Sequence, residues 1–154
     1  MTVTDKFDIM ADEADKYADL LANMADIDLS ILRHGLRNEY DVIVSEAMDY
    51  LITLNLVDEF KEDLAELSDR QDSYLISGRL RMCAALSKDQ KLKNVLSVPK
   101  CDKDDLYCQV WESASCYVSS PQQRWLKKLE TLARNPDNTV ASLARSLLDF
   151  LSSK

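Results

Sequence analysis

The first feature of this sequence that could do chemistry is a series of aspartates near the N-terminus. Asp5, Asp8, Asp12, Asp15 and Asp19 follow one another at steps of three, four, three and four residues. In a helix this spacing places the carboxylates on one face, about 5 Å apart along the axis. Because aspartate is a poor helix former and like charges four residues apart repel, such a face weakens its own helix. We interpret these five residues, the N-terminal acidic stripe, as a docking surface for a basic protein; an ordinary solvated face is the alternative.

A second acidic face is predicted in the segment LVDEFKEDLAELSD, residues 56–69. Helical spacing turns Phe60, Leu64 and Leu67 towards the core. The carboxylates on the opposite face are Asp58, Glu59, Glu62, Glu66 and Asp69. We predict that the first four, the second acidic stripe, also contact the partner. Whether the two stripes adjoin depends on the tertiary fold.

Groups that could catalyse a reaction are sparse. The single histidine, His34, lies in a short apolar segment and is predicted to be an ordinary surface or half-buried side chain. The sequence has no glycine-rich phosphate loop, no H-x-x-x-H pair and no E-x-x-H pair, so nucleotide sites, di-iron centres and zinc proteases lack their ligands. The acidic turn DKDD at 102–105 lacks the spacing and glycine of a calcium loop and is predicted to cap the next helix. We predict a protein that is not an enzyme and has no metal or cofactor; an enzyme of an unfamiliar family is the alternative.

The four cysteines are Cys83, Cys101, Cys108 and Cys116. Cys108 and Cys116 are eight residues apart on one predicted helix, a rise of about 12 Å that is too long for a disulfide. No C-x-x-C pair supports a zinc site. We predict reduced, mostly buried thiols. A disulfide such as Cys101–Cys108, or one from Cys83 to a neighbouring helix, is the alternative and would suit a secreted protein.

The net charge of −8 is distributed unevenly along the chain. Residues 1–70 hold 18 acidic and 6 basic side chains, a net of −12, whereas residues 71–154 hold 9 and 13, a net of +4. The acidic half disfavours nucleic acid and favours steered association with basic proteins. The basic residues of the second half are predicted to be ordinary solvated side chains: Lys88, Lys91, Lys93, Lys100, Lys103, Arg124, Lys127, Lys128, Arg134 and Arg145.

The sequence also bears on location. No apolar run approaches the roughly 18 residues that span a membrane. The acidic N-terminus has neither the basic nor the apolar region of a secretory signal. We therefore predict a cytoplasmic protein, unless a signal has already been removed.

The composition favours helices throughout. Only two glycines and three prolines interrupt 154 residues, of which 46% are hydrophobic, so we predict a single all-α domain, 1–154. The first helix is predicted at 4–25, with an apolar seam opposite the aspartates: Phe7, Met10, Ala14, Tyr17, Leu21 and Met24. Further helices are predicted at 29–37, 40–54, 56–68, 71–86, 89–97, 104–119, 121–134 and 139–152, giving about eight or nine in all.

The helices after the first follow a repeat. Aligning VIVSEAMDYL (42–51), LISGRLRMCA (75–84), QVWESASCYV (109–118) and TVASLARSLL (139–148) produces shared apolar columns. One column is Ile43, Ile76, Val110 and Val140, and another is Ala47, Leu80, Ala114 and Ala144. The preceding helices repeat independently through Leu32, Leu64, Leu96 and Leu129, at steps of 32, 32 and 33 residues. Two series with nearly the same period predict stacked helical hairpins with these columns buried.

This pattern resembles a short α-solenoid of HEAT-like helical hairpins over residues 28–152. The resemblance implies an antiparallel stack that offers a concave surface to other proteins. The period is shorter than that of most HEAT units, and an irregular or plain helical bundle is the alternative.

Together these features predict an acidic protein-binding module. We expect it to inhibit or neutralise a basic partner, such as a toxin or a nucleic-acid-binding enzyme, in the manner of an immunity protein, an antitoxin or a phage-type inhibitor. The alternative is an adaptor or assembly subunit whose grooves hold partner helices. Direct contact with nucleic acid or membrane is not expected.

Overall fold

Every regular element in the described part of the chain is helical, as predicted. The computed structural model describes residues 3–96 and 100–153, with side chains from residue 12 onward in those ranges. The α-helices of these ranges are α1 (Val3–Ala22), α2 (Leu29–Leu36), α3 (Asp41–Thr53), α4 (Lys61–Glu66), α5 (Tyr74–Leu86), α6 (Gln90–Val95), α7 (Leu106–Ser119), α8 (Gln123–Leu132) and α9 (Asn138–Ser152). The predicted helix at 56–68 differs most, because 3-10 turns at Val57–Phe60 and Leu67–Arg70 replace α-helical geometry at both ends of α4.

Aspartate side chains begin four of these helices. In α2, α6, α7 and α9 the residue before the helix is an aspartate whose carboxylate accepts hydrogen bonds from first-turn N–H groups: Asp28, Asp89, Asp105 and Asp137. Asp105 accepts from the Cys108 N–H at 3.0 Å, which confirms the predicted capping role of the DKDD turn. Such a cap contributes about 1 kcal/mol to stability.

The helices pack in a regular order. The row α3, α5, α7 and α9 consists of successive neighbours, and α1 packs against α3 at one end. Outside this row, α2 contacts α3 and α4, α4 contacts α6, and α8 lies against α7 and α9. One hydrophobic cluster extends from Ala14 in α1 to Leu151 in α9. The helices that the repeat aligns therefore contribute to one shared core; they are α3, α5, α7 and α9.

Burial follows the predicted columns. Six side chains of the predicted buried columns expose 1% or less of their surface: Leu64, Leu80, Leu96, Ala114, Leu129 and Ala144. The column of Ile43, Ile76, Val110 and Val140 is buried as well. In α1 the seam is confirmed at Ala14, Tyr17 and Leu21, while the side chains of Phe7 and Met10 lie outside the described residues. The HEAT-like topology itself stays a prediction.

Both glycines allow close approach between helices. A Cβ on Gly35 would lie 2.0 Å from Tyr17 Oη, and one on Gly78 would lie 2.3 Å from Trp111 Cδ1. The Tyr17 hydroxyl donates to the Ile31 carbonyl at 3.0 Å. Burial raises the pKa of Tyr17 to about 12, so this hydroxyl keeps its proton at neutral pH. Gly35 thus makes room for a hydrogen bond that fastens α1 to α2.

Polar side chains connect segments that are about one repeat apart. Arg79 of α5 donates to the two carboxylate oxygens of Asp49 of α3 at 2.7 and 3.1 Å. Arg70 donates to the Asn38 carbonyl at 2.6 Å. Arg79 is buried, and burial lowers its pKa, but Asp49 outweighs that effect and the pKa lies above its usual value. These contacts fasten α5 to α3, and the 3-10 turn after α4 to the turn between α2 and α3.

Candidate functional site

The N-terminal acidic stripe occupies the solvent face of α1 wherever its side chains are described. Asp12, Asp15 and Asp19 are exposed, whereas the side chains of Asp5 and Asp8 lie outside the described residues. Asp12 pairs with Lys16 at 3.2 Å across a largely exposed contact, a kind of pair that contributes little to stability. Asp15 and Asp19 form no ion pair with the side chains that the structure describes. Their charges are therefore available to a partner.

A groove of 380 Å³ runs between the packed helices α1 and α3, next to this stripe. Its apolar wall comprises Ala18, Leu21, Ala22, Tyr50 and Leu54. Two carboxylates of α3, Glu46 and Asp49, line the same groove. Asp15 and Asp19 are three residues before Ala18 and Ala22. The groove thus combines an apolar wall with two carboxylates of α3 in its lining, and Asp15 and Asp19 lie outside the lining on a neighbouring side of α1.

The two carboxylates on the α3 side of the groove are in different environments. Asp49 is held by Arg79, while Glu46 is half-buried. Burial and the nearby charge of Asp49 raise the pKa of Glu46, and Arg79 only partly opposes them. Burial and this repulsion make the ionised form of Glu46 less favourable than it is in water. A cation placed in the groove would stabilise that ionised form.

The second acidic stripe is partly occupied by contacts within the protein. Asp58 accepts a hydrogen bond from Ser87 Oγ at 2.6 Å and another from the Lys88 N–H at 3.0 Å. Burial raises the pKa of Asp58, but these hydrogen bonds and the charge of Lys61 outweigh it, so the pKa lies below its usual value. Asp58 therefore fastens the start of the 57–70 segment to the turn that follows α5, rather than projecting freely into solvent.

Glu66 is engaged in a similar way. It lies 3.4 Å from Arg37 of the α2 C-terminus. The same arginine contacts the buried carboxylate of Asp63 at 2.7 Å, and Arg33 contacts that carboxylate at 3.2 Å. The two arginines at the C-terminal end of α2 therefore neutralise this part of the acidic surface.

Glu66 is exposed but paired with Arg37, whereas Glu59 and Glu62 are exposed and form no ion pair with the side chains that the structure describes. They line a cleft of 240 Å³ that also contains cationic side chains, among them Lys61. Lys61 pairs with Asp89 at 3.0 Å. Because charges of both signs surround the cleft, it offers a basic partner less net attraction than the face of α1.

The cysteines differ from the preferred prediction. Cys101 and Cys108 form a disulfide that ties the loop before α7 to its first turn, so the prediction of reduced thiols is wrong for this pair and the stated alternative holds. Cys83 is buried and free, and Cys116 is half-buried and free. A disulfide persists mainly in oxidising compartments. The pair therefore argues against the cytoplasmic location, which stays a prediction.

A third cavity, of 440 Å³, lies among α5, α6, α7 and α8. Its cationic side chains are Arg81, Lys93 and Arg124, and Glu112 is its carboxylate. Arg124 is exposed, as predicted, and Lys93 is half-buried; packing brings both side chains to this cavity. The net positive charge of residues 71–154 was the only sequence signal for this site, because the cations lie on different helices.

The remaining features to consider in the described residues are the histidine, metal-binding clusters and membrane-spanning helices. His34 is exposed on α2. The described ranges hold no group of three or more His, Cys, Asp or Glu side chains arranged to bind a metal ion. None of the helices in those ranges has both the length and the apolar character needed to cross a membrane.

Comparison with family models, with curated proteins and with solved structures finds no match to this chain. Function therefore has to be inferred from the residues of the chain and their geometry.

Proposed function

We propose that this protein is a non-enzymatic binding module that holds a basic segment of a partner protein between α1 and α3. The observation that carries the proposal is the 380 Å³ groove, which places an apolar wall beside acidic side chains. An amphipathic segment with one apolar face and flanking lysines or arginines matches both properties. Asp15 and Asp19 supply charge on the α1 side, and Glu46 and Asp49 supply it on the α3 side.

The charge distribution suggests how the complex would form. The first 70 residues carry a net charge of −12, which attracts a basic partner at long range and raises the association rate. Apolar contact in the groove would then slow dissociation. Neutralisation of a toxin or of a nucleic-acid-binding enzyme is the role we propose, because blocking a basic surface disables such proteins.

The N-terminal acidic stripe is the better supported of the two predicted surfaces. In the second stripe, Asp58 and Glu66 already have partners within the protein. Breaking either contact on binding would cost part of the energy gained. Glu59 and Glu62 remain proposed peripheral contacts, and the main contact is assigned to Asp12, Asp15 and Asp19.

An adaptor role is the second candidate, and a separate observation favours it. A cavity of 280 Å³ lies among α3, α5, α7 and α9; its apolar region includes Leu143, Leu147 and Phe150, and its polar side includes Arg79. It shares Asp49 and Thr53 with the groove beside α1. A partner helix held mainly by this apolar region would bind with little dependence on salt.

The test uses two designed peptides with the same leucine face, one carrying lysines on its polar face and one carrying glutamates. Fluorescence anisotropy measures the binding of each to the whole chain at increasing ionic strength. We expect the lysine peptide to bind more tightly, with affinity falling as salt rises. Equal affinities with no salt dependence would favour the adaptor, and binding of neither peptide would contradict both.

A matched pair of variants locates the surface. The double variant Asp15→Asn with Asp19→Asn removes two charges beside the groove. The control, Asp69→Asn with Asp72→Asn, removes two exposed charges elsewhere and produces the same net charge. We expect only the first variant to weaken binding of the lysine peptide, mainly through a slower association rate. Equal losses in both variants would show that net charge, rather than this surface, is responsible.

A further inference from the structure

The cavity among α5, α6, α7 and α8 has one strongly apolar side. Its walls include Ala84 and Ala85 of α5, Leu96 after α6, and the indole of Trp125 on α8. The volume of 440 Å³ falls in the range of pockets that hold small organic molecules. An apolar body of matching size would gain from leaving water for this wall.

The polar side of the cavity is cationic. Three cations and one carboxylate line it, in a protein whose overall charge is −8. Lys93 Nζ donates to the carbonyl of Ala84 at 2.9 Å, and it takes part in none of the ion pairs found among the described side chains. The guanidinium of Arg124 lies 4.6 Å from the centre of the Trp125 ring, which holds it at the edge of the apolar wall.

The single carboxylate is shared between two groups. Glu112 lies 3.8 Å from Arg81 and also accepts a hydrogen bond from the Cys101 N–H at 3.5 Å. The thiol of Cys116 lies on the wall of this cavity, close to the same charged groups. Burial and Glu112 raise its pKa, while Arg81 and Arg124 lower it. The cations of α5 and α8 therefore act on one region of space.

We infer that this cavity binds a small organic anion with an apolar body, such as a fatty or aryl carboxylate. The carboxylate would lie among Arg81, Lys93 and Arg124, where charge-assisted hydrogen bonds are strongest. The apolar body would lie against Trp125 and Leu96. This site is separate from the groove between α1 and α3 and does not depend on the proposed protein partner.

The test titrates the whole, disulfide-bonded chain with a dansylated undecanoic acid and with its methyl ester, and follows the rise in dansyl fluorescence. The acid and the ester share the apolar body and differ only in charge. We expect the acid to bind at least about tenfold more tightly, which is the loss expected for one charge-assisted contact. Equal binding of both probes, or no binding of the acid, would overturn the assignment.

Two double variants then place the site. Lys93→Gln with Arg124→Gln removes two cations of the cavity, and we expect it to weaken the acid at least about tenfold while leaving the ester unchanged. The matched control, Lys91→Gln with Lys127→Gln, removes exposed cations from the same two helices and should leave both probes unchanged. If the control weakened the acid as much, general surface charge would explain binding and the cavity assignment would fail.

A third variant tests the apolar wall. Ala85→Phe places a ring in the cavity and should weaken the acid and the ester together. Circular dichroism of each variant confirms that the helices are intact. Unchanged binding of both probes to a folded Ala85→Phe protein would show that they bind elsewhere.

Discussion

Replacing Gly78 by alanine should destabilise this protein, although the helix alone would favour the change. Gly78 lies inside α5, and in an exposed helix interior alanine is more stable than glycine by about 1 kcal/mol. Here the added Cβ would lie 2.3, 2.6 and 2.9 Å from Cδ1, Cγ and Nε1 of Trp111. Steric conflict and helix propensity therefore oppose each other, and their relative magnitudes decide whether the variant is less or more stable than the original chain.

The steric term is the larger of the two. Carbon atoms in contact prefer a separation of about 3.5–4.0 Å, so the indole or the helix must shift by more than about 1 Å. Trp111 exposes only 2% of its surface, and the Arg79 guanidinium lies 5.1 Å from the ring centre. Overpacking of this kind costs about 1–3 kcal/mol. With a contact this short we expect the upper end of that range, and after the gain of about 1 kcal/mol in propensity a net loss of about 2 kcal/mol in the free energy of unfolding.

Chemical denaturation followed by far-UV circular dichroism measures this loss. The variant should be examined again in a Trp111→Leu background, where a smaller side chain faces the new methyl group. There the loss should shrink or become a gain, giving a measurable coupling energy between the two sites. Ser142→Ala, at an exposed position in α9, is the control and should change stability by less than about 0.5 kcal/mol. A Gly78→Ala protein as stable as the original chain, or an equal loss in both backgrounds, would refute the reasoning.

Three further predictions use the same denaturation assay. Leu129→Ala should cost about 2–5 kcal/mol because this side chain is fully buried; a near-neutral result would contradict the repeat register. Replacing Cys101 and Cys108 by serine should cost about 2 kcal/mol through loop closure, and a reductant should destabilise only the original chain. Glu46→Gln should raise stability at neutral pH, because burial and Asp49 raise the pKa of Glu46 above its ordinary value of 4.5. The native state then binds more protons than the unfolded state, so stability of the original chain falls as pH rises through that range. The advantage of the variant should disappear below pH 4.5, and a pH-independent difference would contradict this account.

Much of the fold could be predicted because helices depend on local spacing. The seam of α1 was correctly assigned to Ala14, Tyr17 and Leu21, since residues three and four apart share a helix face. The buried leucines were found in the same way, and their period predicted which helices contribute to the core. The 3-10 turns around α4 were missed, because the contacts of that segment lie elsewhere in the chain: Arg70 reaches the Asn38 carbonyl, 32 residues away.

The candidate site was predictable only in part. Asp12, Asp15 and Asp19 of α1 were placed correctly on a solvent face, where the helix period alone decides exposure. The second stripe was assigned by the same rule, yet Asp58 is held by Ser87, 29 residues away. Glu66 likewise meets Arg37. Periodicity identifies an outward side of a helix but not what packs beside it.

By itself, the sequence determined the helices, the faces that they bury and the acidic character of the first half, because each follows from neighbours within a few turns. The tertiary structure decided which carboxylates keep their charge free, which cysteines pair and where cations gather. Asp15 and Glu66 look alike in the sequence, but only Glu66 lies beside an arginine of another helix. Likewise, Arg81 and Arg124 meet at one cavity only after α5 and α8 pack around α7. Such pairings depend on the register between helices, which is set by side-chain packing over tens of residues rather than by local propensity.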